Sequence, residues 1–258
     1  DLRSGFTTGT CAAAAAAAAI WDIFNLDGTP RPPEFIVTLP NGEMIGVPVE
    51  PQKQRPRSSS VNDNWMVESE ACVIKDAGDD PDITNGMQIK VNIALPFNMD
   101  EVNSGKQQDD YNIIIAGGEG IGIVTMPGLG LELGAPAINP TPRKMIEENV
   151  RMYLSYVGVP KMSNPIVVTI SVPGGEEIAK RTFNPRLGIE GGLSIIGTSG
   201  VRKLYPQVDG SGARHGQPAC GYQFRGKERT VHQGLLSRVA GTGLCTLRQL
   251  HRRDAEDS

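Results

Sequence analysis

The 258-residue chain is predicted to be an α+β protein with a mixed or largely antiparallel sheet and a few helices. Three observations lead there. Eight consecutive alanines, Ala12 to Ala19, lie close to the start and specify a tightly packed helix. Short apolar runs bounded by Pro, Gly, Asn and Asp then follow one another, as strands separated by turns do. One later segment, Pro142 to Val157, carries apolar residues at helical spacing.

The elements follow in order. Thr8 or Thr10 is placed to cap the alanine helix, which runs on to about Phe24 and stops at Asn25, Asp27 and Gly28. Glu34 to Leu39 and Met44 to Val49 flank Pro40-Asn41-Gly42 and form a hairpin. Residues 51–64 read as a polar loop. Strands are expected at Trp65 to Ile74, Met87 to Leu95 and Asn112 to Ala116, with Asp100 to Asp110 as a solvated connection. Pro142 opens the amphipathic helix, with Met145, Val150, Tyr153 and Leu154 on its apolar face. Ile166 to Val172 is a strand, Glu176 to Arg181 a short helix, and Asn184-Pro185-Arg186 an extended or turn segment.

Composition excludes several classes. The net charge of −4 gives no general attraction to nucleic acid or to anionic membranes. No apolar run reaches about 20 residues, so no membrane span is expected. The alanine run lacks leucine, and Gly and Thr crowd its start, unlike a signal-peptide core. Cys11, Cys72, Cys220 and Cys245 show neither metal-site nor disulfide-framework spacing, and a reducing cytoplasm suits them. The chain opens on Asp1 rather than Met, as a trimmed or incomplete N-terminus would. Nothing in the pattern specifies an oligomeric state.

The last 58 residues differ in character. Residues 201–258 carry eight Arg and two Lys against five acidic residues, whereas residues 1–200 carry fifteen basic and twenty-four acidic residues. All three histidines, His215, His232 and His251, lie in this tail. Their spacing to Cys220 and Cys245 matches no zinc pattern, so no protein metal site is predicted. The first 200 residues contain no histidine, which argues against a histidine-based hydrolase there.

Four segments carry possible chemistry. Residues 4–11 (SGFTTGTC) put Thr7, Thr8 and Thr10 at the positive end of the alanine helix, which suits a carboxylate; ordinary capping of a packed helix is the plainer reading of the residues alone. Cys11 there reads as a packed thiol rather than a nucleophile. Residues 73–86 (VIKDAGDDPDITNG) hold Asp76, Asp79, Asp80 and Asp82. The glycine is misplaced for a calcium loop and no glutamate closes it, so turn formation is the plain reading. Residues 111–130 (YNIIIAGGEGIGIVTMPGLG) set Gly117, Gly118, Glu119 and Gly120 after an apolar strand. A dinucleotide-type loop would open into a helix; this one continues into Ile123-Val124-Thr125, as strand, glycine turn and strand. Its N–H groups are suited to lining a pocket. Residues 173–200 contain seven glycines around Asn184-Pro185-Arg186, where backbone approaches a ligand or turns tightly. The phosphate-loop ending Gly-Lys-Ser/Thr is absent, which weighs against an ordinary nucleotide hydrolase.

Taken in this order, the segments resemble the CbiD family, the cobalt-precorrin-5B C(1)-methyltransferases of anaerobic cobalamin biosynthesis. The resemblance covers roughly residues 2–200. It implies methyl transfer from S-adenosylmethionine to C-1 of a cobalt-containing corrin precursor, with cobalt entering only as part of the substrate. It implies that Asp76, Asp79 and Asp80 bind the amino group or ribose of the donor, together with Gly117, Gly118, Glu119 and Gly120. The substrate's acetate and propionate groups would meet Thr7, Thr8, Thr10, Asn184 and the forked cations Arg143 and Arg186. Since methyl transfer depends on orientation and exclusion of water more than on acid–base chemistry, no catalytic side chain is singled out. The resemblance also implies a smaller α/β domain toward the C-terminus. Residues 1–200 are therefore read as the main domain, and 201–258 as a divergent, incomplete or out-of-frame remnant. The alternative reading of the same residues is a non-catalytic module that holds a nucleotide or a tetrapyrrole.

Overall fold

The computed structural model describes residues 3–25, 30–61, 64–98, 108–161 and 163–202. In chain order the strands are β1 (Gly5–Phe6), β2 (Glu34–Thr38), β3 (Met44–Pro48), β4 (Arg57–Val61), β5 (Asn64–Ile74), β6 (Gln88–Asn98), β7 (Ile113–Gly117), β8 (Ile123–Val124), β9 (Ile166–Ser171), β10 (Ile189–Glu190) and β11 (Val201–Arg202). The helices are α1 (Thr8–Phe24), α2 (Pro140–Tyr156) and the short α3 (Gly175–Ala179). The α+β expectation is met among the described residues. No helix among the described residues is long and apolar enough to cross a membrane.

Helix α1 is the centre of the core. Every residue from Thr10 to Ile20 is buried. Alanine side chains let β5 and β6 approach one side of the helix while α2, β2 and β3 close over the others. The cap is Thr7, whose hydroxyl oxygen accepts the Thr10 N–H at 3.2 Å, so the cap lies one residue ahead of the expected Thr8. Thr10 stands inside the first turn. Near the far end, Asp22 is buried and accepts both Nε and an Nη hydrogen of Arg31, whose other Nη donates to the Glu50 carbonyl at 2.7 Å. A buried carboxylate needs such a partner.

The main sheet has five strands in the order β4-β5-β6-β9-β7. All its pairs are antiparallel except β7–β9, which is parallel and is connected through α2. Alternate residues Ile89, Val91, Ile93 and Leu95 of β6, with Val168 and Ile170 of β9, are fully buried. Helix α2 adds polar clamps. Asn149 exchanges hydrogen bonds with both the N–H and the carbonyl of Thr38, at 2.8 and 2.9 Å, and the Tyr153 hydroxyl donates to the Ile36 carbonyl. These bonds satisfy backbone groups of β2 that face away from β3.

Two local expectations are corrected and one is narrowed. Part of the polar segment 51–64 is the edge strand β4, in which Arg57, Ser58 and Ser59 are exposed; ladder pairing with β5 requires no apolar side chains there. Helix α2 begins at Pro140, because Asn139 already stands at its N-cap. Of the two alternatives for Asn184-Pro185-Arg186 the turn is found: Asn184–Leu187 is a 3₁₀ turn, closed by Gly188 in the left-handed region. Most of the connection 100–110 and, beyond β11, the whole tail with its histidines, Cys220 and Cys245 lie outside the described residues.

Candidate functional site

A cavity of about 430 Å³ opens where five separate parts of the chain meet, Leu129 among them. Thr7 and Thr8 of the α1 start, with Lys75, Asp82 and Thr84 from the segment after β5, form its floor. Asn139, at the head of α2, stands on one side. Asn184 and Leu187 of the 3₁₀ turn, with Ile189, Leu193 and Ser194, make the opposite wall. The rim is apolar and open to solvent: Ile83, Phe183, Leu187 and Ile196 all line the cavity, and Phe183 is 71% exposed.

The floor is a polar network around a buried cation. Lys75 is 3% exposed, and its ammonium donates to Thr8 Oγ1 at 3.1 Å, Asp82 Oδ2 at 2.7 Å and Thr84 Oγ1 at 2.5 Å. The Thr84 hydroxyl donates to Asp82 Oδ1 at 2.6 Å, and its N–H to the same atom at 2.8 Å. Burial alone would push the Asp82 carboxyl up; the hydrogen bonds from Lys75 and Thr84 outweigh it and hold the group well below the usual carboxylate range. The pair is therefore ionised and neutral overall. The two helix starts at this cavity supply the remaining positive potential.

The wall is built by the glycine-rich turns. Backbone bonds link Leu193 to Gly120 and Gly122 to Leu193, each at 2.8 Å, while the Ile195 N–H donates to the Ala137 carbonyl and the Ile195 carbonyl accepts the Asn139 N–H. These contacts require bare backbone. A β-carbon on Gly118 would stand 2.2 Å from Ser171 Oγ. On Gly120, whose φ is +73°, it would stand 2.0 Å from the Val172 carbonyl oxygen. The turn thus fixes Leu193 and Ser194 in place.

Of the residues predicted for the site, Thr7, Thr8 and Asn184 line the cavity. Thr10 is buried, and its hydroxyl donates to the Gly200 carbonyl at 2.6 Å. Arg186 is exposed on the 3₁₀ turn, 5.9 Å from the Phe183 ring centre, next to the rim. Arg143 is half-buried and donates to the Ile115 carbonyl at 3.4 Å, away from the lining. Asp76 and Asp79 tie down the N-terminal segment: the Arg3 guanidinium binds Asp76, and the Arg3 N–H donates to Asp79 at 2.6 Å. Arg3 and the Gly78 N–H hold the Asp76 carboxyl below its ordinary range. Asp80 lies in the same turn and, like Asp76 and Asp79, is not part of the lining. Gly117, Gly118 and Gly120 serve the backbone junction, and Glu119 is exposed while its carbonyl accepts the Val172 N–H. Cys11 is fully buried, and burial pushes its thiol up to about 12, which excludes a ready nucleophile.

Sequence reading passed over Lys75, Asn139, Phe183 and Ser194. For Lys75 a signal existed: a lone lysine directly follows the apolar Val73-Ile74 end of β5 and precedes an aspartate-rich turn. Among the described residues no group of three or more His, Cys, Asp or Glu side chains is placed to hold a metal ion.

Comparison with known proteins adds the following. A family model described as CbiD matches residues 1–203. Cobalt-precorrin-5B C(1)-methyltransferase of Prosthecochloris aestuarii is 44% identical over 200 residues, which cover 78% of this chain and 47% of that protein. The Moorella thermoacetica protein of the same name is 43% identical over 218 residues, covering 81% and 51% respectively. The crystal structure of a cobalamin biosynthesis protein (cbiD) from Archaeoglobus fulgidus superposes with a TM-score of 0.54 at 28% identity, covering 79% of this chain and 55% of that one. The chain spans about half the length of the curated relatives it matches.

Proposed function

The chain belongs to the CbiD family, and from that premise we propose that it takes part in methylation of C-1 of cobalt-precorrin-5B, with S-adenosylmethionine as donor. One observation carries the reading: 44% identity over 200 residues to a protein with that activity in its name. Bound S-adenosylmethionine supplies an electrophilic methyl group on a sulfonium sulfur. The residues present fit such a donor in class. Leu129, Ile189 and Leu193 offer an apolar wall for a nucleobase, and Asn139 offers hydrogen bonds at the positive end of α2.

The chain's own work is orientation. The exposed apolar rim, with Phe183, Leu187, Ile196 and Ile83, suits the flat face of a macrocycle. Arg186, beside Phe183, is suited to a peripheral carboxylate, which its fork binds bidentately. Cobalt arrives with the substrate. Covering the rim with a macrocycle excludes water from the transferring methyl.

The Arg186→Glu variant tests the substrate side. It is expected to raise KM for the corrin precursor about tenfold or more while leaving affinity for S-adenosylmethionine within about twofold. An unchanged KM removes Arg186 from the site. The half-length match favours one other reading, a module that binds the precursor or donor without turnover. Binding without product formation would select it.

A further inference from the structure

The hydroxyls of the cavity point to one specific anchor. Five of them line it: Thr7, Thr8, Thr84, Thr182 and Ser194. Four of the five give their proton to the protein. Thr84 donates to Asp82, Thr182 to the Ala179 carbonyl at 2.7 Å, and Ser194 to Asn184 Oδ1 at 3.1 Å. Thr7 and Thr10 stand 2.9 Å apart, and since Thr10 donates to Gly200, the shared proton comes from Thr7. Thr8 alone has no acceptor for its proton among the described residues.

Thr8 also differs in what reaches it. Its oxygen accepts from the Lys75 ammonium, all three of whose N–H groups are committed within the floor. A hydroxyl that accepts from a cation is polarised into a stronger donor. Because Asp82 neutralises Lys75, the floor presents a directed O–H rather than a bare charge. The Asn139 side chain, facing the same space, makes no cap hydrogen bond to α2.

We propose that Lys75 is a positioning residue that acts through Thr8: it fixes and polarises the Thr8 hydroxyl as the donor to a ligand carboxylate at the cavity floor. The inference rests on the functional reading above, in which the ligand is the polycarboxylate corrin precursor, and it deepens that reading by selecting one threonine of three. No proton or methyl transfer is assigned to either residue.

The test is a cycle of variants in the full chain, read by equilibrium titration with cobalt-precorrin-5B. Thr8→Val removes the hydroxyl and keeps the shape; Thr8→Ser restores the hydroxyl. Lys75→Met with Asp82→Asn removes the cation without leaving an unpaired charge. Thr8→Val is expected to weaken binding about tenfold, the scale of one charge-assisted hydrogen bond, and Thr8→Ser to stay within about threefold of the parent. In the Lys75→Met, Asp82→Asn background, Thr8→Val should change affinity by less than about threefold. Equal loss in both backgrounds overturns the role of Lys75. Equal affinity of parent, Thr8→Val and Thr8→Ser overturns the proposal, and this comparison stands even if the charge-free background does not fold. Binding by the parent with no Thr8 dependence overturns only this inference, whereas no binding by the folded parent overturns the functional reading as well.

Discussion

Lys75 and Asp82, with side chains 2% and 8% exposed, form an ion pair that water hardly reaches. Removing one partner leaves the other charged and buried, so Asp82→Asn is expected to destabilise the chain by ~3–5 kcal/mol in urea unfolding. The Lys75→Met, Asp82→Asn double variant should recover most of that loss. The same pair sets a pH dependence. Asp82 has a lower pKa folded than unfolded, so its contribution is complete above the unfolded value near 4 and is lost as the pH falls further. Stability should therefore decline below about pH 4, more shallowly in the double variant. Cys11, with its thiol pushed up by burial, should stay unmodified by iodoacetamide at pH 8 in the native chain and react once unfolded, which peptide mass spectrometry reads directly. At this scale the sequence was partly legible. Thr7, Thr8 and Thr10 stood out as a helix start, but which of the three is free depends on Gly200 and Lys75, remote in the chain. The aspartates of the 76–82 turn stood out too, and their partners Arg3 and Lys75 were hidden because nothing local fixes them.

Helix α1 shows how an element reads well when composition leaves one solution. Eight alanines make a helix by propensity, and complete burial follows because nothing on them extends outward. A larger side chain has no space: Ala15→Leu is expected to destabilise by ~1–3 kcal/mol or to displace the sheet, as measured by unfolding and by near-UV circular dichroism. The glycine turn after β7 is equally strict. Gly120→Ala, at φ +73° and against the Val172 carbonyl, should be more destabilising than a typical surface substitution and should weaken ligand binding by moving Leu193. Hairpin β2–β3, strands β5, β6 and β9 and helix α2 were all signalled by turn residues and periodicity. Strand β4 was not, because an exposed edge strand of Ser and Arg carries no apolar alternation. At Asn184 the sequence left extended chain and turn open for a related reason. The turn's geometry is set by Asn184 bonding to Gly192 and Ser194 rather than by local preference.

The molecule as a whole adds what no single segment states. The parallel pairing of β7 with β9 depends on α2 crossing between them, and a strand's neighbour is not written in its own residues. The cavity likewise joins residues 7–8, 75–84, 129, 139 and 182–196, brought together by α1 and the braided glycine turns. Family membership was legible because several short motifs occur in a fixed order, and the match across residues 1–203 agrees with it. The relatives extend for about twice the aligned length, so the decisive question is whether this chain completes the reaction. The most direct measurement is incubation of the purified chain with S-adenosylmethionine and cobalt-precorrin-5B, followed by mass spectrometry of the corrinoid. The expected result is one added methyl group, located at C-1 and dependent on the donor. A folded chain that binds both molecules and adds no methyl would contradict catalysis and leave a binding module in its place.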